Sequence, residues 1–268
     1  MRAGHRLVVL VIATAMLTLS TPSHAQQQSD EELAKKLSNP LASLVSLPLQ
    51  FNWDHEYGPD RNGHKFQLNV QPVVPATLNA DWTLISRVIV PIVDQHIPSV
   101  GDGSQSGIGD ITGEFFFVPK PGTSGILWGV GPVVLIPTGT DLISGEKWGL
   151  GPAAVVVRQH AGWTYGALVN HIWSVGGSGS HDISNTLIQP ILSYTTKDAW
   201  TFGLNAESTY DWKQSQWTVP IHATVSKLTR IGKQPVSFGV AARYYADSPA
   251  AGPHGWGARL TVTFLFPE

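Results

Sequence analysis

The sequence predicts an all-β fold: a 12-stranded antiparallel transmembrane β-barrel preceded by a short N-terminal helical segment. Three observations predict it. Long stretches alternate between apolar and polar residues, and alternation at period two indicates strands because successive side chains point to opposite faces. Only 13% of the residues are charged, against about 25% in a typical soluble domain. The ten tryptophans lie near the ends of the alternating stretches.

The stretch 200–226 shows the pattern most clearly. Trp200, Phe202 and Leu204 begin one apolar face, and after a polar break at 213–216 the alternation restarts at Trp217. Each run is about twice as long as the five to six residues of a typical soluble strand, which argues against the rival fold, a soluble β-sandwich. Strands of about 9–11 residues with aromatic ends fit a bilayer crossing. We therefore interpret the stretch as two transmembrane strands.

Residues 1–25 have the pattern of a secretory signal peptide. Arg2 and Arg6 precede an apolar run at 7–19, and Ser23-His24-Ala25 supplies an A-x-A-like cleavage site. A single membrane-spanning helix is the alternative, but the run is shorter than the roughly 20 residues that a span requires. The remaining sequence has no apolar run long enough for a helical span, so insertion must use strands. We expect export to the bacterial outer membrane.

Residues 26–46 differ from everything that follows. Ser29 and Glu32 have the spacing of a capping box, and the acidic residues at 30–32 suit the positive end of a helix. Leu33 and Leu37 form one apolar edge. We predict a short amphipathic helix, and two placements remain open: a partly ordered periplasmic tail, or a plug folded into the mouth of the barrel.

Residues 47–268 are predicted to form the barrel. An even number of strands is what a bacterial single-chain barrel requires. Short and long connections alternate along the chain, so with a periplasmic N-terminus the long loops fall outside the cell. The predicted strands are 47–56, 64–74, 82–93, 110–119, 126–138, 148–159, 163–175, 184–196, 200–212, 217–226, 236–247 and 255–266.

The tryptophans are predicted to form two aromatic girdles at the membrane interfaces. Four of them begin strands that run away from the periplasmic side, namely Trp82, Trp128, Trp163 and Trp200. The other six lie where strands meet the long loops, namely Trp53, Trp148, Trp173, Trp212, Trp217 and Trp256.

One short motif occurs twice, as Trp-Gly-Val-Gly-Pro at 128–132 and Trp-Gly-Leu-Gly-Pro at 148–152. Glycines at alternate positions remove side chains from one face, so another group can approach the wall there. The alternative is a tightly coiled wall with no ligand. Prolines within predicted strands normally indicate an edge or a bulge, and four are present: Pro132, Pro152, Pro190 and Pro220.

The inward-facing polar residues are the candidate site. Both charge signs are present, so a strongly ion-selective pore is not indicated. Glu207 and His222 on adjoining strands form either an acid–base pair or, as we favour, a lumen salt bridge or hydrogen bond. The predicted lumen-lining set is Asp54, Lys65, Arg87, Glu114, Asn170, Glu207, Asp211, His222, Arg243 and Arg259.

Composition limits the other partners. The absence of cysteine excludes disulfides and thiolate chemistry. A net charge of −2 argues against nucleic acid, which requires a basic patch. We expect no cofactor and no metal. The expected partners are outer-membrane lipid and the barrel-assembly machinery, because the alternating stretch 259–266 ends in aromatic residues like the C-terminal signal of such barrels.

An outer-membrane phospholipase also uses twelve strands, so an enzyme is one alternative. It would need Ser and His on the same outward face. His181 and Ser184 are three residues apart, which places them on opposite faces of a strand. The sequence also has none of the common hydrolase or phosphate-binding motifs. We therefore expect no enzymatic activity.

Four short motifs stand out along the chain: the stretches 39–48 and 107–111, Gly131-Pro132 with Pro137-Thr138, and 147–152. They resemble motifs of the transporter-like outer-membrane family named for the MetA pathway of phenol degradation. The resemblance implies a barrel that passes small hydrophobic or aromatic molecules. The expected function is an outer-membrane channel or transporter. A structural or adhesive barrel, or a lipid-modifying enzyme, is the alternative.

Overall fold

The computed structural model describes residues 28–98, 103–122 and 125–267, so the predicted signal peptide at 1–25 lies outside the described residues. No helix in the described part of the chain is long and apolar enough to cross a membrane. The elements are α1 (Asp30–Leu37), β1 (Val45–Tyr57), β2 (Gly63–Val70), β3 (Val73–Thr77), β4 (Trp82–His96), β5 (Gln105–Ile108), β6 (Ile111–Pro119), β7 (Ile126–Ile136), β8 (Lys147–His160), β9 (Trp163–Gly177), β10 (Ser184–Thr195), β11 (Trp200–Ala206), β12 (Ser208–Asp211), β13 (Gln216–Ile231), β14 (Gln234–Asp247) and β15 (Pro253–Phe266).

The strands close into a single antiparallel barrel. Each strand pairs with its neighbours along the chain, and β1 pairs with β15 to complete the ring. Three of the twelve wall strands are interrupted, and each of these consists of two segments: β2 with β3, β5 with β6, and β11 with β12. Closure pairs every wall strand on both sides, apart from the short segment β5, which pairs with β4 alone among the described strands. The prediction of a 12-stranded antiparallel barrel with a short N-terminal helix is confirmed.

The predicted strand bounds differ from the structure mainly at the interruptions. The predicted loop at 94–109 contains the end of β4 and all of β5, which pair with each other. Near the first interruption, Pro72 has no backbone N–H to donate to the ladder, although its carbonyl accepts from the Val88 N–H at 3.1 Å. β13 continues to Ile231, five residues beyond the predicted end, because its alternation persists through a more polar sequence.

The two ends of the barrel are built differently. We call the end where β1 begins and β15 finishes the terminal end, and the opposite end the loop end. Terminal-end turns are short: Asn79 Oδ1 accepts from the backbone N–H groups of Asp81 and Trp82, at 2.9 Å each. At the loop end, Asp110 accepts from the N–H groups of Gly139 and Gly145 at 3.0 and 2.8 Å. This carboxylate therefore fixes the long loop before β8.

Helix α1 begins with the predicted capping box. Ser29 Oγ accepts from the Glu32 N–H, and Glu32 Oε2 accepts from the Ser29 N–H, both at 3.2 Å. Leu33 and Ala34 are buried against inward-facing residues of β13 and β15. An isolated helix this short is marginal in water, so the cap and this burial stabilise it.

The repeated Gly-Pro motif marks the tightest part of the wall. Pro132 and Pro152 pair with each other across β7 and β8. A Cβ atom built on Gly131 would lie 1.8 Å from the Phe115 carbonyl oxygen, and one on Gly151 would lie 1.6 Å from the His171 carbonyl oxygen. The backbone of a neighbouring strand therefore approaches each of these glycines. The ladder is interrupted beside both prolines.

Candidate functional site

The inner surface of the barrel has an apolar side. Along β8, the inward Ala153, Val155 and Val157 are at most 3% exposed, whereas the outward Leu150 and Val156 are each 47% exposed. The inward residues belong to a buried apolar cluster that spans β4 and β6 to β9 and includes one residue of the N-terminal segment. Its members are Leu41, Ile85, Phe116, Val118, Val133, Ala153, Val155, Val157 and Leu168.

The opposite side, formed by β1, β2 and β11 to β15, is polar. Arg243 on β14 bridges Asp54 on β1 at 3.1 Å, and the Tyr245 hydroxyl donates to the same carboxylate at 3.2 Å. β14 and β1 are not neighbours in the wall, because β15 lies between them. The contact is therefore made inside the barrel. Lys65 lies directly opposite Asp54 in the β1–β2 register.

A second ion pair lies on the same side. The Arg259 guanidinium donates to both oxygens of Glu207, at 2.8 and 2.9 Å, and to Asn52 Oδ1 at 2.6 Å. Two parallel bonds of this kind are the strong, geometrically specific form of the pair. They engage the carboxylate completely.

The predicted Glu207–His222 pair is therefore not formed. Glu207 bonds Arg259, and neither ring nitrogen of His222 has a hydrogen-bond partner among the described residues. The His222 side chain is 1% exposed. His222 lies opposite Asn205 and Arg243 in the strand register.

One ion pair lies within the apolar side. Arg87 on β4 bridges Glu114 on β6 at 3.0 Å, and Asn170 on β9 donates to the same carboxylate at 2.7 Å. β6 and β9 are separated by two wall strands, so this contact also crosses the interior. Glu114 is 1% exposed and needs both partners, because an unpaired buried carboxylate is costly.

Six of the ten candidate lumen residues thus form three ion pairs, and Asn170 donates a hydrogen bond to one of them. Among the described residues, Lys65 and His222 belong to none of these ion pairs. Asp211 instead accepts from the backbone N–H groups of Lys213 and Gln214 in the β12–β13 turn. The paired charges are equal in number and opposite in sign, so they produce no strong net field. That these residues line a channel stays a prediction.

Two cavities open on the same side of the barrel. A loop-end cavity of about 720 Å³ is lined by residues that include Leu142, Glu146, His181, Asn185 and Lys213. A terminal-end cavity of about 480 Å³ lies beside α1 and is lined by residues that include Gln159, Trp163, Tyr194, Thr195 and Lys197. The loop-end cavity is lined by the loops before β8 and between β9 and β10 and by the β12–β13 turn, whereas the terminal-end cavity is lined by residues of β8, β9 and β10. Both cavities therefore lie beside the β9–β10 pair, at opposite ends of the barrel.

The N-terminal segment lies across the terminal end. Asp30 bridges Arg230 of β13 at 2.7 Å. Gln159 of β8 donates to the Lys35 carbonyl at 2.8 Å. Leu41 then reaches the apolar cluster. These contacts tie the segment to two parts of the wall that are separated by β9 to β12.

All ten tryptophans are exposed, from 36% for Trp217 to 64% for Trp256. Several pack against another ring near the strand ends, as Trp82 does with Trp128, with ring centroids 6.2 Å apart. Exposed indoles at strand ends are typical of an interfacial belt. The two girdles stay a prediction.

The outward face also carries a polar cluster that the sequence analysis missed. Ser184 Oγ lies 3.3 Å from His171 Nε2, and Thr186 Oγ1 lies 2.7 Å from His171 Nδ1. His181, the histidine nearest to Ser184 in sequence, instead contacts Ser180. The pairing of β9 with β10 decides the outcome, and inter-strand register is not visible in a single sequence. In the described ranges, no group of three or more His, Cys, Asp and Glu residues could hold a metal ion.

Comparison with known proteins identifies the fold class. The chain is similar to an outer membrane channel from Pseudomonas putida F1 at 14% identity and a TM-score of 0.64, covering 92% of this chain and 100% of that one. The KdgM porin is similar at 12% identity and a TM-score of 0.48, covering 83% of this chain and 100% of that one. Outer membrane phospholipase A from Escherichia coli is similar at 10% identity and a TM-score of 0.49, covering 90% of this chain and 99% of that one. The protein has the barrel fold of outer-membrane proteins.

The sequence itself matches no family model and none of the curated proteins. The comparisons also correct one expectation. The expectation of no enzymatic activity is corrected: outer membrane phospholipases are among the similar structures, and nothing in the comparisons shows a protein without activity. The Ser184–His171 contact also removes one reason for that expectation, because a Ser and a His do share the outward face.

Proposed function

We propose that the protein is an outer-membrane channel that passes small hydrophobic or aromatic molecules along the apolar side of its lumen. The buried apolar cluster on β4 and β6 to β9 supports this proposal most directly. It lies between the two cavities, which open on the same side at opposite ends. A permeant would enter from the loop end and leave beside α1.

The chemistry of this wall sets the selectivity. Val133 and Val157 are fully buried, and Leu168 is 1% exposed, so the apolar side chains pack closely. A hydrophobic molecule moving between them exchanges one apolar contact for another. An ion or a sugar would have to lose its hydration without compensation, which costs several kcal/mol. An apolar constriction of this kind excludes ions.

The polar side would serve as a scaffold. Arg243 and Arg259 are 7% and 8% exposed, and both are engaged by carboxylates. Paired charges have little free capacity to bind a permeant. The polar side would therefore hold β1 and β11 to β15 together and leave transport to the opposite wall.

The N-terminal segment is proposed to be a plug at the periplasmic opening. Its contacts with Arg230 and Gln159 span the terminal end, and Leu41 reaches the apolar side. The motif resemblance to the family named for the MetA pathway supports the same class of permeant, and membership of that family is part of this proposal.

The test compares matched variants of the two sides. Radiolabelled toluene uptake is measured in bacteria that express each protein in an intact outer membrane. Val155→Thr combined with Val157→Thr makes the apolar side polar with little change of shape, and we expect uptake to fall several-fold. Thr261→Val is the control on the polar side, where uptake should stay at the wild-type rate.

Equal uptake by wild-type cells and cells without the protein would refute transport of this permeant class. A planar-bilayer recording then separates the alternatives, because a barrel with neither uptake nor conductance is structural or adhesive. Uptake that depends on expression but not on Val155 or Val157 would refute the route along β8.

A further inference from the structure

We propose that Ser184 and His171 form a nucleophile–base pair on the lipid-facing surface of the barrel, with Thr186 as the positioning residue, and that the pair hydrolyses carboxylic esters of membrane lipids. The proposal concerns the outer wall and does not depend on the proposed transport through the lumen.

The strand register places the pair on the outward face. Ser184 lies directly opposite Trp173 in the β9–β10 ladder, and Thr186 lies opposite His171. Directly opposed residues share one face of a sheet. Trp173 is 48% exposed and Val169, two residues before His171, is 40% exposed. All of these side chains therefore point away from the lumen.

The pair lies at the depth where lipid esters are found. Trp173 and Trp212 flank it near the loop end, and the His171 and Trp173 rings are 4.1 Å apart. Tryptophans of a membrane barrel lie at the headgroup level. An acyl ester, which joins headgroup and chain, would therefore reach Ser184 without leaving the bilayer.

The proposal requires one tautomer of His171, and the hydrogen-bond geometry allows it. The Trp212 indole N–H can only donate, and it donates to Thr186 Oγ1 at 2.8 Å. We assign the remaining lone pair of that oxygen to a proton on His171 Nδ1, at 2.7 Å. Nε2 of the neutral ring then faces the Ser184 hydroxyl as an acceptor, at 3.3 Å.

This arrangement has the form of an activated nucleophile. A hydroxyl lies near a base, and a third group orients the base from its far nitrogen. The 3.3 Å separation is slightly long, as is common without substrate. A purely structural cluster would be unusual here, because polar groups facing lipid cost free energy and in membrane proteins usually have a function.

The reaction balances without any further reagent. Ser184 Oγ attacks the ester carbonyl carbon while its proton moves to His171 Nε2. The carbon–oxygen bond to the leaving alcohol breaks, and that alcohol takes the proton from Nε2. Water then attacks the acyl-serine by the same route, giving a fatty acid and free Ser184. No electron transfer occurs.

The test uses the full chain, refolded in detergent micelles. Each protein is incubated with mixed micelles of a phosphatidylcholine that carries a fluorescent acyl chain, and released fatty acid is measured. A fluorophosphonate probe, followed by peptide mass spectrometry, locates any activated serine. We expect wild-type hydrolysis above the detergent background and labelling of Ser184.

The variants distinguish catalysis from structure. Ser184→Ala should abolish both signals, and His171→Ala should lower the hydrolysis rate by about 10²–10⁴-fold, the usual contribution of a general base. Thr186→Val should shift the pH profile of the rate, and Thr186→Ser should restore it. Ser180→Ala is the matched control, because Ser180 also contacts a histidine, at 2.8 Å, and should keep full activity.

Folding is checked in every variant by the heat-dependent shift of barrel mobility on a gel. Hydrolysis no faster than background by folded wild-type protein would overturn the proposal. Hydrolysis that survives Ser184→Ala would also overturn it, as would labelling of Ser184 that is unchanged in His171→Ala. None of these results bears on toluene uptake, so the two proposals fail separately.

Discussion

The two sides of the barrel interior are stabilised by different means. On the polar side, strands that are not neighbours are joined by ion pairs, as between Asp54 and Arg243. On the apolar side, close packing replaces most polar contacts, and glycines let adjacent backbones approach. The difference shows that one closed sheet can be held together by ion pairs along one arc and by close packing along another.

Arg243→Met is expected to have the largest effect on the polar side. It leaves the Asp54 carboxylate, 7% exposed, without its cation. Breaking a buried pair in this way costs about 3–5 kcal/mol. The urea midpoint of the barrel refolded in lipid vesicles would measure the loss.

The paired variant Asp54→Leu/Arg243→Met sharpens this result, because removing both charges leaves neither unpaired. Most of the lost stability should return. A double variant no more stable than Arg243→Met would show that this side depends on shape and not on charge pairing.

Gly151→Ala tests the apolar side. The added methyl group would lie 1.6 Å from the His171 carbonyl oxygen, so two adjacent strands would have to separate. Overpacking of this kind typically costs about 1–3 kcal/mol, and the same urea titration measures it. Gly203→Ala is the control, because its methyl group would find its nearest neighbour at 3.8 Å. Equal losses in both variants would contradict the close-approach argument.

A chain lacking residues 28–41 tests whether the N-terminal segment closes the terminal end. We expect ion conductance in planar bilayers to rise, because the deletion removes α1 from the terminal end and also takes Leu41 out of the apolar cluster that otherwise excludes ions. Ser29→Ala serves as an intermediate variant, since loss of a helix cap costs about 1 kcal/mol and leaves the segment in place. Identical recordings from all three proteins would rule out a plug.

Asp182→Asn should have the smallest effect. Its hydrogen bond from Lys147 lowers the pKa of this exposed carboxyl. Its contribution is therefore present above the ordinary aspartate pKa of about 3.9 and is lost as the pH falls through its folded-state pKa. Exposed pairs contribute little. The unfolding midpoint at pH 7 should not change measurably, and a clear drop would show that the loop ion pair stabilises the barrel.

The sequence predicts the wall well because alternation and strand-end tryptophans are local signals. It also predicts α1, since Ser29 and Glu32 are close along the chain. The interruptions of three wall strands escape such reasoning, because they depend on neighbouring strands. Glu207 illustrates this: its N–H bonds the Pro220 carbonyl of β13 at 3.2 Å.

The candidate site is predicted less completely. Alternation assigns Glu207, His222 and Arg259 to one face, but it does not say which of them meet. That depends on strand register and on contacts across the lumen. For the same reason, a comparison of Ser184 with a histidine nearby in sequence overlooks His171, which lies thirteen residues away and 3.3 Å distant.

The binding site of α1 has a consequence for biogenesis. Leu33, near the start of the chain, packs against Leu265, near its end. Helix α1 therefore has no complete binding site until β15 has paired with β1, although it precedes every strand in the chain. An unfinished barrel would show an uncovered apolar helix edge. Proteases and chaperones could use that edge to distinguish incomplete chains from finished ones.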